Sequence, residues 1–110
     1  MNNFEFLHNA LNKKIVFTKN IEDFEMDFDE NMAAKVISYD YKSNEKTFII
    51  YMNFKEYEEE NRKFEKANYW DKNNCPTLKW SETSYYPKDG KIELYFDSDL
   101  NISDYFNIVE

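Results

Sequence analysis

Lys35-Val36-Ile37-Ser38-Tyr39-Asp40-Tyr41 and, after Ser43-Asn44-Glu45, Lys46-Thr47-Phe48-Ile49-Ile50-Tyr51-Met52-Asn53 decide the fold class of this chain. The first run alternates, placing Ile37, Tyr39 and Tyr41 on one face. The second is dense in β-branched and aromatic residues, whose side chains suit a pleated, half-buried surface. Two such runs around a short polar stretch predict an antiparallel hairpin.

The same signals recur outward from this centre. Lys14 to Thr18 reads as a strand. Thr77 to Ser84 alternates Leu78 and Trp80 with Lys79 and Ser81, and Lys91 to Asp97 turns Ile92, Leu94 and Phe96 inward. Asp89-Gly90, the strongest turn signal of the chain, predicts a second hairpin between these two strands. Asn73-Asn74-Cys75-Pro76 reads as a turn. With one glycine and two prolines in 110 residues, turns must lean on Asn, Asp and Ser. Ile102 to Val109 reads as a short edge strand or a turn of helix.

Helical spacing appears twice. Phe4, Leu7, His8 and Leu11 predict a short N-terminal helix. A main helix is expected over 54–68, with Asn53 as N-cap and Glu56 three residues on as in a capping box. Phe54, Tyr57, Phe64 and Ala67 share one side of it, with Asn61 and Asn68 at the seam. Its acidic residues lead and Arg62, Lys63 and Lys66 follow, the order that the helix dipole favours. The reading is an α+β fold, a single domain over 1–110. It has an antiparallel sheet of about five strands, with the main helix packed on one face and the short helix at the N-terminus.

Charge is concentrated in one place. Glu22-Asp23-Phe24-Glu25-Met26-Asp27-Phe28-Asp29-Glu30 holds six carboxylates, no base and three large apolar residues. The chain has 22 acidic and 14 basic residues; without these nine positions the balance is 16 to 14, so six of the eight net negative charges lie here. Ionised carboxylates without partners cannot be buried cheaply, yet Phe24, Met26 and Phe28 call for a core. Strict alternation favours a strand with those three on one face. A helix, aligning Ile21, Phe24, Phe28 and Met32, is the alternative.

The composition also excludes. A net charge of −8 argues against nucleic acid as a direct ligand and against an anionic membrane, both of which need a basic surface. One cysteine, Cys75, and one histidine, His8, cannot supply a zinc set or a disulfide, and no other Cys–His pair is available for nucleophilic catalysis. A single glycine excludes phosphate-loop and dinucleotide fingerprints. Asp27, Asp29 and Glu30 are hard-oxygen donors without the loop spacing of a dedicated calcium site. No cofactor, metal or catalytic residue is assigned. The absence of an apolar leader in Met1 to Lys14 and of any long apolar run predicts a cytoplasmic location.

What remains is an acidic surface bearing aromatics. Glu22, Asp23, Glu25, Asp27, Asp29 and Glu30 form its main cluster. Glu58, Glu59 and Glu60 form a second, and Asp97, Asp99 and Asp104 a third. Tyr69-Trp70-Asp71, Trp80-Ser81-Glu82 and Tyr85-Tyr86 set aromatic anchors beside polar groups, the composition favoured at interfaces. The partner-binding set is therefore Glu22, Asp23, Glu25, Asp27, Asp29, Glu30, Trp70, Asp71, Glu82, Tyr85 and Tyr86.

In Glu22 to Glu30 and Tyr69 to Glu82, and in size, acidity and aromatic content, the chain resembles the small acidic immunity proteins that bacteria pair with secreted or contact-dependent toxins. The resemblance implies a non-enzymatic inhibitor, a monomer or weak dimer, that neutralises a basic toxin domain, such as a nuclease, by covering its active site. Three other readings share these residues: a phage-type nucleic-acid mimic inhibiting a host defence nuclease, a small hydrolase using paired carboxylates, and an assembly subunit.

Overall fold

The computed structural model describes residues 2–22, 27–28, 30–57, 59–61 and 90–110. Helix α1 (Asn3–Ala10) leads into β1 (Lys14–Phe17), β2 (Ile21–Glu22), β3 (Asp27–Phe28), β4 (Ala33–Lys42) and β5 (Thr47–Asn53). A 3-10 turn at Lys55–Tyr57 follows, and residues 59–61 are helical. β6 (Lys91–Asp97), a 3-10 turn at Ile102–Asp104 and β7 (Phe106–Val109) complete the described chain. Five strands form one antiparallel sheet in the order β6-β5-β4-β1-β7, and β2 pairs with β3 separately.

The central hairpin forms as its sequence predicts. Lys42 pairs with Thr47 around a four-residue connection in which Lys46 takes φ 51°. The face assignment of β4 needs one correction. A β-bulge between Val36 and Ser38 adds a residue to β4 and changes the phase of the alternation. Ala34 and Val36 point inward before the bulge and Tyr39 and Tyr41 after it, while Ile37 is left 45% exposed on the opposite face. β5 and β6 keep strict alternation, with Phe48, Ile50 and Met52 on the first and Leu94 and Phe96 on the second buried together.

The second predicted hairpin is described only in part. Lys91–Asp97 is a strand with Leu94 and Phe96 inward, and it pairs with β5 along its whole length. Residues 77–84 and the turn residue Asp89 lie outside the described residues. Gly90, at φ +75°, accepts a hydrogen bond from the Phe54 N–H at 2.9 Å, and a Cβ there would lie 2.8 Å from the Lys55 nitrogen. Only glycine takes that conformation and that approach without strain.

Asn2 caps α1, its side chain accepting from the Glu5 N–H at 2.8 Å. The helix buries Phe6, Leu7 and Ala10, while Phe4 and His8 are exposed. Phe4 lies edge-on to Tyr41 and Phe48 at the rim of the core. Asn3 fastens α1 to the far end of the chain, donating to the Leu100 carbonyl at 2.8 Å and accepting from the Ile102 N–H at 2.9 Å. The C-terminal stretch takes both predicted forms in succession, a helical turn and then an edge strand, β7, beside β1.

The predicted main helix begins differently from its capping-box reading. Asn53 accepts from the Lys55 N–H at 2.8 Å, an Asx turn that opens a 3-10 turn. Residues 62–68 lie outside the described residues. Asn61, placed at the seam by its spacing, is fully buried.

Candidate partner-binding surface

The acidic segment is not one continuous strand. Ile21 pairs with Phe28 and Glu22 with Asp27 in antiparallel register, so the chain reverses direction between Glu22 and Asp27. A single strand would expose every second residue along one line; the folded pair instead sets two acidic residues opposite each other. Like charges in direct register are destabilising as a rule; the apolar residues of the same pair, Phe28 in the core and Ile21 packed against it, hold β2–β3 in place.

Phe28 is the main anchor. It is fully buried, stacked on Phe17 (ring centroids 5.3 Å apart) and on Phe54 (5.5 Å). Phe17 meets Phe106 edge-on at 4.9 Å, so the aromatic column runs from β3 through β1 to β7. Burying a phenylalanine contributes about 1.5–3 kcal/mol, more than one in-register like-charge pair costs. Ile21 packs against the same core, to which the fully buried Met32 also belongs.

Polar bonds hold the return to β4. The Asn20 side chain accepts from the Glu30 N–H at 2.8 Å, and Asn31 takes φ 78° and donates its N–H to the Phe17 carbonyl at 2.7 Å. Phe17 N–H in turn donates to the Met32 carbonyl at 2.9 Å. Asn20 and Asn31 were not among the predicted site residues, although two asparagines bracketing an acidic run are a turn signal. Glu30 itself is exposed.

Of the predicted partner-binding residues, the structure thus brings Glu22 and Asp27 into register and leaves Glu30 at the surface beside them in the chain. Asp23, Glu25, Asp29, Trp70, Asp71, Glu82, Tyr85 and Tyr86 lie outside the described residues.

Glu60, Asp97 and Asp104, members of the two smaller acidic clusters, make local contacts within the fold. Glu60 binds Lys14 at 3.0 Å, and the Lys14 ammonium also lies 5.0 Å from the Tyr57 ring centre, tying the segment after β5 to β1. Burial pushes the Tyr57 hydroxyl pKa up; Glu56 and Glu60 add to this and Lys14 opposes it. Asp97 accepts from the Asp99 N–H at 3.0 Å, and the Asp104 carbonyl accepts from the Thr18 hydroxyl at 2.6 Å. Asp97 thus shapes its turn, and Asp104 lends its backbone to a link with Thr18, just past the end of β1.

His8 is exposed on the last turn of α1, and Cys75 lies outside the described residues. Among the described residues no group of three or more His, Cys, Asp or Glu is placed to hold a metal ion, and no helix is long and apolar enough to cross a membrane. No protein-family model, curated protein or solved structure matches the chain significantly.

Proposed function

We propose that this protein is an inhibitor of the immunity type, which binds a basic partner domain such as a toxin nuclease and neutralises it through the acidic segment 22–30. One observation carries the reading: the most acidic stretch of the chain is tied to the core through the buried Phe28 while it sets Glu22 and Asp27 in register. A protein under selection for stability alone gains nothing from like charges in register, and such a local conflict is characteristic of functional positions. A basic partner would relieve the repulsion on binding.

The mechanism is competition. Carboxylates on an anchored element can pair with the Arg and Lys residues that otherwise take substrate phosphates. The field of the segment speeds encounter, and aromatic anchors such as Trp70, Tyr85 and Tyr86 would lengthen residence. Capture of the partner from the native host, followed by rapid mixing with the purified partner, tests this. Asp27→Lys with Asp29→Lys should slow association about ten-fold or more at low salt and flatten its salt dependence. An association rate that ignores both the substitutions and ionic strength would sink the proposal.

A further inference from the structure

The paired part of the acidic segment is small. β2 and β3 share two register pairs, Ile21 with Phe28 and Glu22 with Asp27, and a ribbon that short does not stand alone in water. Its order comes from contacts outside it. Phe28 stacks on Phe17 and, with ring planes 13° apart, on Phe54. Downstream, Asn31 and Met32 bond the backbone of Phe17. The next residue, Ala33, is held by Asn61, which accepts from its N–H and donates to its carbonyl, each at 2.8 Å.

Phe54 and Asn61 belong to one stretch, residues 54–57 and 59–61, which leaves β5 and reaches β1 at Lys14. At its start the Phe54 N–H donates to the Gly90 carbonyl, and the Tyr57 N–H donates back to the Phe54 carbonyl, each at 2.9 Å. Further on, Glu60 binds Lys14 at 3.0 Å, and the Lys14 ammonium lies 5.0 Å from the Tyr57 ring centre. The stretch is thus tied to the sheet at both ends. Between those ties it meets the acidic segment at Phe28 and the start of β4 at Ala33.

We propose that this stretch is a strap whose docking holds the β2–β3 pair in place, so that strap and acidic pair open and close as one unit while β5 and β6 stay joined. Asn61 is fully buried and supplies the partners of two backbone groups. Lifting the strap leaves both groups without them and uncovers the Phe28 ring; withdrawing Phe28 in turn uncovers Phe54. Each movement exposes what the other keeps covered, which is the condition for cooperative local opening. β5 and β6 are in register from Thr47–Asp97 to Asn53–Lys91, and no strap residue takes part in those pairs. The coupling exists in the isolated chain and does not rest on the proposed function. With that function, a basic partner on the acidic segment selects the strapped form and protects the strap as well.

Native-state amide exchange, followed by NMR on the full chain without a partner, tests the proposal. In the wild-type chain the Asn31 and Phe54 amides should show protection equal within about three-fold, and less than the slowest amides of β5. Asn61→Ala should quicken both about ten-fold or more relative to β5, and Phe28→Ala should do the same to Phe54 and Tyr57. Glu60→Lys, a change at the surface that sets the strap against Lys14, should quicken Asn31 and Phe54 alike, by about three-fold or more. Leu94→Ala, in β6, should instead quicken β5 more than Asn31. An Asn31 amide unmoved in Glu60→Lys overturns the proposal, as does a Phe54 amide unmoved in Phe28→Ala. Uniform quickening of every strand in Asn61→Ala overturns it equally.

Discussion

The side-chain amide of Asn61 grips the backbone of Ala33 from both sides of its peptide, donating to the Ala33 carbonyl and accepting from the Ala33 N–H, each at 2.8 Å. Ala33 is in register with Val16 of β1 but lies beyond the last β4–β5 pair, Lys35 with Asn53, so among the described residues no strand reaches these two groups from the β5 side. Asn61 does what the next residue of a longer β5 would have done. An asparagine suits the task because one planar amide carries both a donor and an acceptor.

Asn61→Ala should therefore destabilise the fold by about 2–4 kcal/mol, because two buried backbone groups lose their partners. Asn61→Asp keeps the acceptor, loses the donor and buries a charge, so it should rescue nothing. Urea denaturation of the three proteins measures this, and a loss near zero in Asn61→Ala would mean that water replaces the amide.

Phe28→Ala should cost about 3–5 kcal/mol, as expected for removal of a fully buried aromatic. It should also release the acidic segment from the core. Amide exchange at Ile21 and Phe28 should then quicken more than exchange in β5.

Asp27→Lys separates function from stability. It converts the in-register Glu22–Asp27 pair to opposite charges, so the isolated chain should gain a few tenths to about 1 kcal/mol. The same substitution should weaken binding of a basic partner. A variant that loses stability would show that the segment is not held as the register indicates.

Gly90→Ala should cost about 1–2 kcal/mol from the left-handed φ alone, with a further loss from the contact at the Lys55 nitrogen. Thermal melting compared with a surface Ala substitution in the 43–46 connection isolates the effect.

Tyr57 makes a pH prediction. Its hydroxyl pKa is raised in the folded protein, chiefly by burial and then by Glu56, above an unfolded value near 10. The unfolded chain therefore loses this proton first as pH rises. The stability linked to it is fully present below the unfolded value and is lost as pH climbs through the folded one. Tyr57→Phe should remove that part of the alkaline decline, read by denaturation across the alkaline range.

Much of the secondary structure could be read from residues alone. The 14–17 strand, the hairpin of β4 and β5, the inward face of β6 and the N-terminal helix follow from local spacing, because side-chain periodicity is a property of neighbouring residues. The bulge at Val36/Ser38 carries no sequence signal of its own, and it reversed the expected place of Ile37. The candidate site was legible as composition but not as shape. Alternation in Glu22 to Glu30 looked like one strand, whereas pairing between its ends bends it back.

The sequence by itself determined that this chain makes antiparallel β structure with a helical cover, and that its excess acidity sits in nine residues. Tertiary structure alone decided that β7 lies beside β1 and β6 beside β5, that Phe17, Phe28 and Phe54 form one aromatic cluster, and that Asn61 finishes a ladder begun by residues far from it in sequence. The reason is physical. Periodicity records which side of an element is apolar, but not which other element covers it. Partners distant in sequence are selected by the combined packing of all the elements, which no single stretch encodes.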